Sequence, residues 1–155
     1  MKLTKYILLL ISMLCYGCRS SDSAYDTLAP SNSVAGYTQP FFSDWVLYSF
    51  ENNIQPAFDC SLELKDKKNE KGLYVLNGKG PVNFAFATYD IDFSTQKIEI
   101  KELSYTEIAG STAQSSFENS FFKKLAKVTS FELNQNTLTF YLPKETGQKL
   151  IFKKR

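Results

Sequence analysis

The chain has 155 residues, with 18 basic and 16 acidic side chains, and includes 13 Phe, 9 Tyr and one Trp but no histidine. A chain of this length predicts one domain, and the missing histidine removes His-dependent triads, His-ligated zinc and the side chain that ordinarily titrates near neutrality. Interspersed Lys and Glu without a basic stripe argue against a nucleic-acid partner.

Residues 1–17 read as a secretory signal. Lys2 and Lys5 form a positive start, and Tyr6 to Leu14 form an apolar run too short to span a bilayer, which takes about 20 residues. Gly17-Cys18 closes the run as a lipoprotein cleavage site does, with Gly17 before the cut and Cys18 as the acylated residue. Loss of Lys2 and Lys5 leaves 16 basic and 16 acidic side chains. Each buried acyl methylene contributes about 0.8 kcal/mol, so several chains together hold a protein on a membrane. Arg19 rather than Asp follows the cysteine and favours the outer membrane. The expectation is a cell-envelope protein anchored through Cys18. Residues 18–40 then hold the lipidated cysteine and a Ser-rich spacer with Pro30, Gly36 and Pro40, a composition that predicts a flexible tether.

The domain is expected over residues 41–155. Ser43–Phe50 is strand-like. Cys60 to Lys65 alternates, with Cys60, Leu62 and Leu64 on one side, and Gly72–Leu76 returns as its hairpin partner. Asn77 to Pro81 is a turn cluster, in which Gly78 and Gly80 are expected to serve positive φ. Val82, Phe84, Phe86 and Thr88 alternate with Asn83, Ala85, Ala87 and Tyr89. Lys97–Leu103 alternates again. The period then changes: Phe117, Phe121, Leu125 and Val128 mark one helix face. Ser115 with Glu118 predicts a capping box at its start, and Lys123, Lys124 and Lys127 suit the negative end of its dipole. Thr129–Leu133, Thr137–Leu142 and Gln148–Phe152 are three more strands. About eight strands with one inserted helix predict an α+β fold, an antiparallel sheet curled into a partly open barrel with one packed helix.

Five segments in this order resemble the META domain family, as in HslJ-like lipoproteins. They are Trp45-Val-Leu, Gly78-Lys-Gly-Pro-Val-Asn83-Phe84, Leu103-Ser-Tyr-Thr106-Glu-Ile-Ala109-Gly110, the helix with Glu118, and Leu138 to Phe140 with Leu150 to Phe152. The resemblance implies a β-rich barrel with a helix packed on it, no catalytic activity and no cofactor, and a link to envelope stress. Family members often carry Cys at two positions held here by Val82 and Gly110. Their joint loss fits a pair that bonds in relatives.

No catalytic residue and no metal ligand set is expected. Cys60, the remaining thiol of the domain, shares parity with Leu62 and Leu64 and reads as a buried apolar group. Gly78-Lys79-Gly80 lacks the rest of a phosphate loop. Asp90, Asp92, Glu99 and Glu102 lack calcium-loop spacing and read as a solvated hairpin end. Asn83 and Thr106 read as side chains bonding turn backbone. Phe84, Phe86, Phe117, Phe121, Phe131 and Phe140 are the candidates for an apolar pocket; they either line a cavity or fill a dry core. The functional expectation is a noncatalytic, membrane-anchored module that binds an envelope protein or a hydrophobic ligand. A lipocalin-like carrier is the alternative.

Overall fold

The computed structural model describes residues 40–155. The expected signal peptide, the Gly17-Cys18 site and the tether up to residue 39 lie outside the described residues. Eight strands follow in chain order: β1 (Asp44–Phe50), β2 (Ser61–Lys68), β3 (Tyr74–Lys79), β4 (Phe84–Asp92), β5 (Lys97–Tyr105), β6 (Ser130–Asn134), β7 (Thr137–Tyr141) and β8 (Lys149–Lys154). One helix, α1 (Thr112–Leu125), stands between β5 and β6.

Each strand pairs antiparallel with its sequence neighbours, and β8 returns to β1 with Phe152 opposite Leu47. The ring therefore closes. Its thin place is the β5–β6 seam, where only Lys97 and Ser130 stand in register. Beyond that pair β5 runs on to Tyr105 without a β6 partner. Helix α1 packs against this free stretch, with Phe122 stacked on Tyr105 at a centroid distance of 5.4 Å. This is the predicted α+β architecture of a curled antiparallel sheet, partly open, with one packed helix.

The core follows from strand parity. Leu62 and Leu64 of β2, Leu76 of β3, Leu138 and Phe140 of β7, and Leu150 and Phe152 of β8 all turn inward and are buried. Burying each such side chain contributes about 1.5–3 kcal/mol. Trp45 of β1 joins them and donates its indole N–H to the Phe41 carbonyl at 2.9 Å. At one end of the ring Phe41 packs on Tyr89, Phe93 and Phe131, with centroids 5.0–6.2 Å apart. At the other end α1 packs over the ring.

Three expectations change. The strand β4 faces the other way round from its hydrophobicity: Ala85, Ala87 and Tyr89 are buried, whereas Phe84 and Phe86 are 48% and 51% exposed. Space decides this. Ala85 stands opposite Gly78, and a Cβ at Gly78 would already lie 3.2 Å from the Ala85 Cβ and 3.5 Å from Leu62 Cδ2. A phenyl ring has no room there. The glycines are likewise needed for close approach rather than positive φ, which Gly72 and Gly147 adopt but Gly78 and Gly80 do not.

The helix also starts earlier than predicted. Its capping box is Ser111 with Gln114: the Gln114 N–H donates to Ser111 Oγ at 3.3 Å, and the Ser111 N–H donates to Gln114 Oε1 at 3.0 Å. The buried stripe is Glu118, Phe121, Phe122 and Leu125. Phe117 sits beside it, half-buried against Phe50 and Phe58.

Candidate functional site

Glu118 projects from the inner face of α1 onto the turn between β3 and β4. It is 4% exposed. Its Oε1 accepts from the backbone N–H groups of Val82 (3.1 Å) and Asn83 (2.8 Å), and its Oε2 accepts from Asn83 Nδ2 at 2.6 Å. A Cβ at Gly80 would fall 2.2 Å from Glu118 Oε1, so this turn needs glycine for the carboxylate to reach it.

Asn83, 7% exposed, carries the network onward. Its Oδ1 accepts from the Ile108 N–H (2.7 Å) and the Thr106 hydroxyl (2.8 Å), while its Nδ2 also donates to the Ile108 carbonyl (3.1 Å). The Ile108 N–H is an unambiguous donor, so the amide orientation is fixed. Thr106 Oγ1 in turn accepts from the Phe84 N–H at 3.1 Å. Asn83 and Thr106 thus bond turn backbone, and they also reach a buried carboxylate that ties the β3–β4 turn, the β5–α1 connection and α1 together. Polar groups buried this deeply are stable only when their bonds are made.

The network sets the start of β4 and with it Phe84, the residue after Asn83. Phe84 and Phe86 rise from the outer face of the ring beside a groove of about 250 Å³, whose lining includes Val46, Glu63, Asn77 and Lys79. Asn77 Nδ2 donates to Glu63 Oε2 at 2.7 Å, Lys65 pairs with Glu63 at 3.3 Å, and Lys79 Nζ stands 5.8 Å from the centre of the Phe84 ring. Aromatic platforms beside satisfied hydrogen-bonding groups suit the docking of a partner side chain.

The six candidate phenylalanines do not share one chamber. Phe121, Phe131 and Phe140 belong to the packed interior, Phe117 is half-buried at its margin, and Phe84 and Phe86 lie outside. Cys60 is buried, and burial, with the charges of Glu118 and Asp59, pushes its thiol up to about 12. The hairpin acids are engaged locally. Asp92 accepts from the backbone and hydroxyl groups of Ser94 and Thr95, which hold its carboxyl down to about 2. Glu102 pairs with Lys71, whose hydrogen bond and charge lower its pKa. Among the described residues no three metal-ligating side chains come together.

Val82 and Gly110 are neighbours: a Cβ at Gly110 would lie 2.6 Å from Val82 Cγ2. The two positions at which the resemblance implies a Cys pair are thus side by side here. Sequence reasoning missed Glu118, reading it as a cap. The available signal was its spacing, since positions 118, 121, 122 and 125 form one helix face.

The META domain family profile matches residues 42–155. No curated protein matches in sequence. Among solved structures, the chain resembles the NMR structure of a protein from Burkholderia xenovorans, with a TM-score of 0.57 and 17% identity over 74% of this chain and 82% of that one. A crystal structure of a DUF4847 family protein from Bacteroides vulgatus gives a TM-score of 0.46 and 13% identity over 72% of this chain and 92% of the other. At this identity the first likeness shows the fold alone.

Proposed function

The chain belongs to the META domain family, and from that premise we propose that it is a noncatalytic binding module of the cell envelope, held to a membrane by acylated Cys18 and docking a protein partner through the outer face of β4. The observation that carries this reading is the half-exposed pair Phe84 and Phe86 beside the groove. Interface anchors are typically aromatic side chains set in or around a pocket with a polar rim. A groove of about 250 Å³ suits one inserted side chain and lies below the usual range for small-molecule sites, about 300–1,000 Å³. A carrier in the lipocalin manner needs a lumen, and here Trp45, Tyr89, Phe121, Phe140 and Phe152 occupy the interior.

Two measurements test the proposal. A photoreactive phenylalanine placed at position 84 or 86 in cells should yield one discrete protein adduct, and the same probe at position 132, on the outer face of β6, should not. Equal adducts at all three positions would remove the docking face. Palmitate labelling should mark the chain, and Gly17→Glu should block processing; an unmarked chain, or a Gly17→Glu variant that still matures into the membrane, removes the anchor.

A further inference from the structure

Charge is unevenly divided along the domain. Residues 40–111 carry 7 basic and 11 acidic side chains, whereas residues 112–155 carry 8 basic and 3 acidic ones. Five of these lysines gather on one side. Lys123 and Lys124, in the last turn of α1, and Lys127, just beyond it, line a shallow groove of about 510 Å³ together with Ser116, Asn119 and Ser120. Lys144 and Lys149 line an adjoining groove, and Leu142 and Gln148 border both. Lys124 Nζ donates to Gln148 Oε1 at 2.7 Å, which joins the helix to the β7–β8 connection.

The nearby acids offset this face only in part, since Glu51 lines the groove of Lys144 and Lys149 and Glu145 follows Lys144. Glu118 is turned into the protein, and Glu51 and Glu145 form no ion pair within 4 Å among the described residues. The ion pairs among the described residues, Lys65–Glu63, Lys71–Glu102 and Lys101–Glu99, leave all five lysines out. The helix dipole accounts for cations at the end of α1. It does not account for Lys144, in the β7–β8 connection, or for Lys149, at the start of β8.

We propose that this lysine face seats the domain on the anionic phospholipid headgroups of the membrane that holds its anchor. The proposal rests on the lipid-anchor reading for its geometry. With 22 residues between Cys18 and the start of β1's approach at Phe41, the chain cannot stand more than about 75 Å from that surface. Lysine ammonium groups beside hydroxyls and an amide match phosphate oxygens in charge and hydrogen bonding. Phe84 and Phe86, on β4, stand four strands round the ring from β8, so a seated domain keeps its docking face free.

The test uses the chain without its first 18 residues, which keeps the whole ring and its core. It should bind vesicles of phosphatidylcholine with phosphatidylglycerol, bind pure phosphatidylcholine far less, and release with added salt. Lysines near such a surface contribute roughly fivefold each, so Lys123→Gln/Lys124→Gln/Lys127→Gln should weaken binding about 100-fold. Lys144→Gln/Lys149→Gln should weaken it about 25-fold and serves if the triple variant does not fold. Lys65→Gln/Lys67→Gln/Lys68→Gln should bind as the parent does. No binding to the anionic vesicles, an equal loss in the Lys65 set, or equal affinity for a DNA duplex overturns the proposal. Because the protein tested carries no acyl group, its result is independent of whether palmitate labels Cys18.

Discussion

Replacing Glu118 by glutamine preserves shape and removes charge, and the network predicts its cost. The carboxylate accepts three hydrogen bonds, from the Val82 and Asn83 N–H groups and from Asn83 Nδ2. Bonds to charged groups contribute about 1.5–3 kcal/mol each and neutral ones about 0.5–1.5. With its carbonyl toward the turn, glutamine keeps the two backbone bonds but weakens each by about 1 kcal/mol. Its amide then faces Asn83 Nδ2, donor against donor, and about 2 kcal/mol is lost there. Asn83 cannot turn round to accept, because its Oδ1 is held by Ile108 and Thr106. The gross loss of about 4 kcal/mol is offset by the desolvation that a neutral group avoids, on the order of 2 kcal/mol. The net expectation for Glu118→Gln is a loss of about 2 kcal/mol, or roughly 8 °C in Tm for a domain of this size. Glu118→Ala leaves the donors unpaired and should cost about 4 kcal/mol. Calorimetric or urea unfolding measures both. A Glu118→Gln variant as stable as the parent would refute the view that the buried carboxylate is a net tie between helix and barrel.

The contact between Val82 and Gly110 predicts that Val82→Cys/Gly110→Cys oxidises to a disulfide. Closing that loop should stabilise the fold by about 3–4 kcal/mol, read as a Tm difference between oxidised and reduced protein; free thiols at both positions after oxidation would contradict the geometry. Burial raises the pKa of the Cys60 thiol to about 12 and that of the Tyr89 phenol further. The folded chain thus keeps protons that the unfolded chain sheds. This stability is fully present below the ordinary thiol value of 9.0 and is lost as pH rises through about 12. The urea midpoint should therefore fall between about pH 8 and about pH 10.5, less so in Cys60→Ala; a flat profile contradicts it. Phe84→Ser/Phe86→Ser removes two half-exposed rings, so stability should change by only about 1 kcal/mol in total, while the photo-adduct at a neighbouring probe disappears. A large loss of stability would place the rings in the core instead.

Much of the architecture was legible because period-2 alternation directly reports a half-buried strand. Cys60, Leu62 and Leu64 share the buried face that their spacing assigns them, and so do Leu138 with Phe140 and Leu150 with Phe152. The reading failed on β4, where the sequence offers two apolar rows. Hydrophobicity alone ranks Phe84 and Phe86 above Ala85 and Ala87. The choice is made by the width left between Gly78 and Leu62, which belong to other strands. The helix start failed for a related reason. Two boxes compete, Ser111 with Gln114 and Ser115 with Glu118, and the second is lost because Glu118 is taken by a turn 35 residues earlier in the chain. Local pattern supplies periods and candidate partners; long-range contacts decide between equals.

The same long-range tie gives the polar network a consequence for function. On one side, Asn83 is followed directly by Phe84, whose N–H is held by Thr106. On the other, Glu118 lies about one and a half turns before Lys123 and Lys124 on α1. A β-strand start and a helix are rigid elements, and three bonds to one carboxylate leave little freedom between them. The outer face of β4 and the lysine face therefore hold a fixed angle to one another. If the membrane sets the second, it also sets the direction in which Phe84 and Phe86 are presented, and loosening Glu118 should blur that direction before it unfolds the barrel.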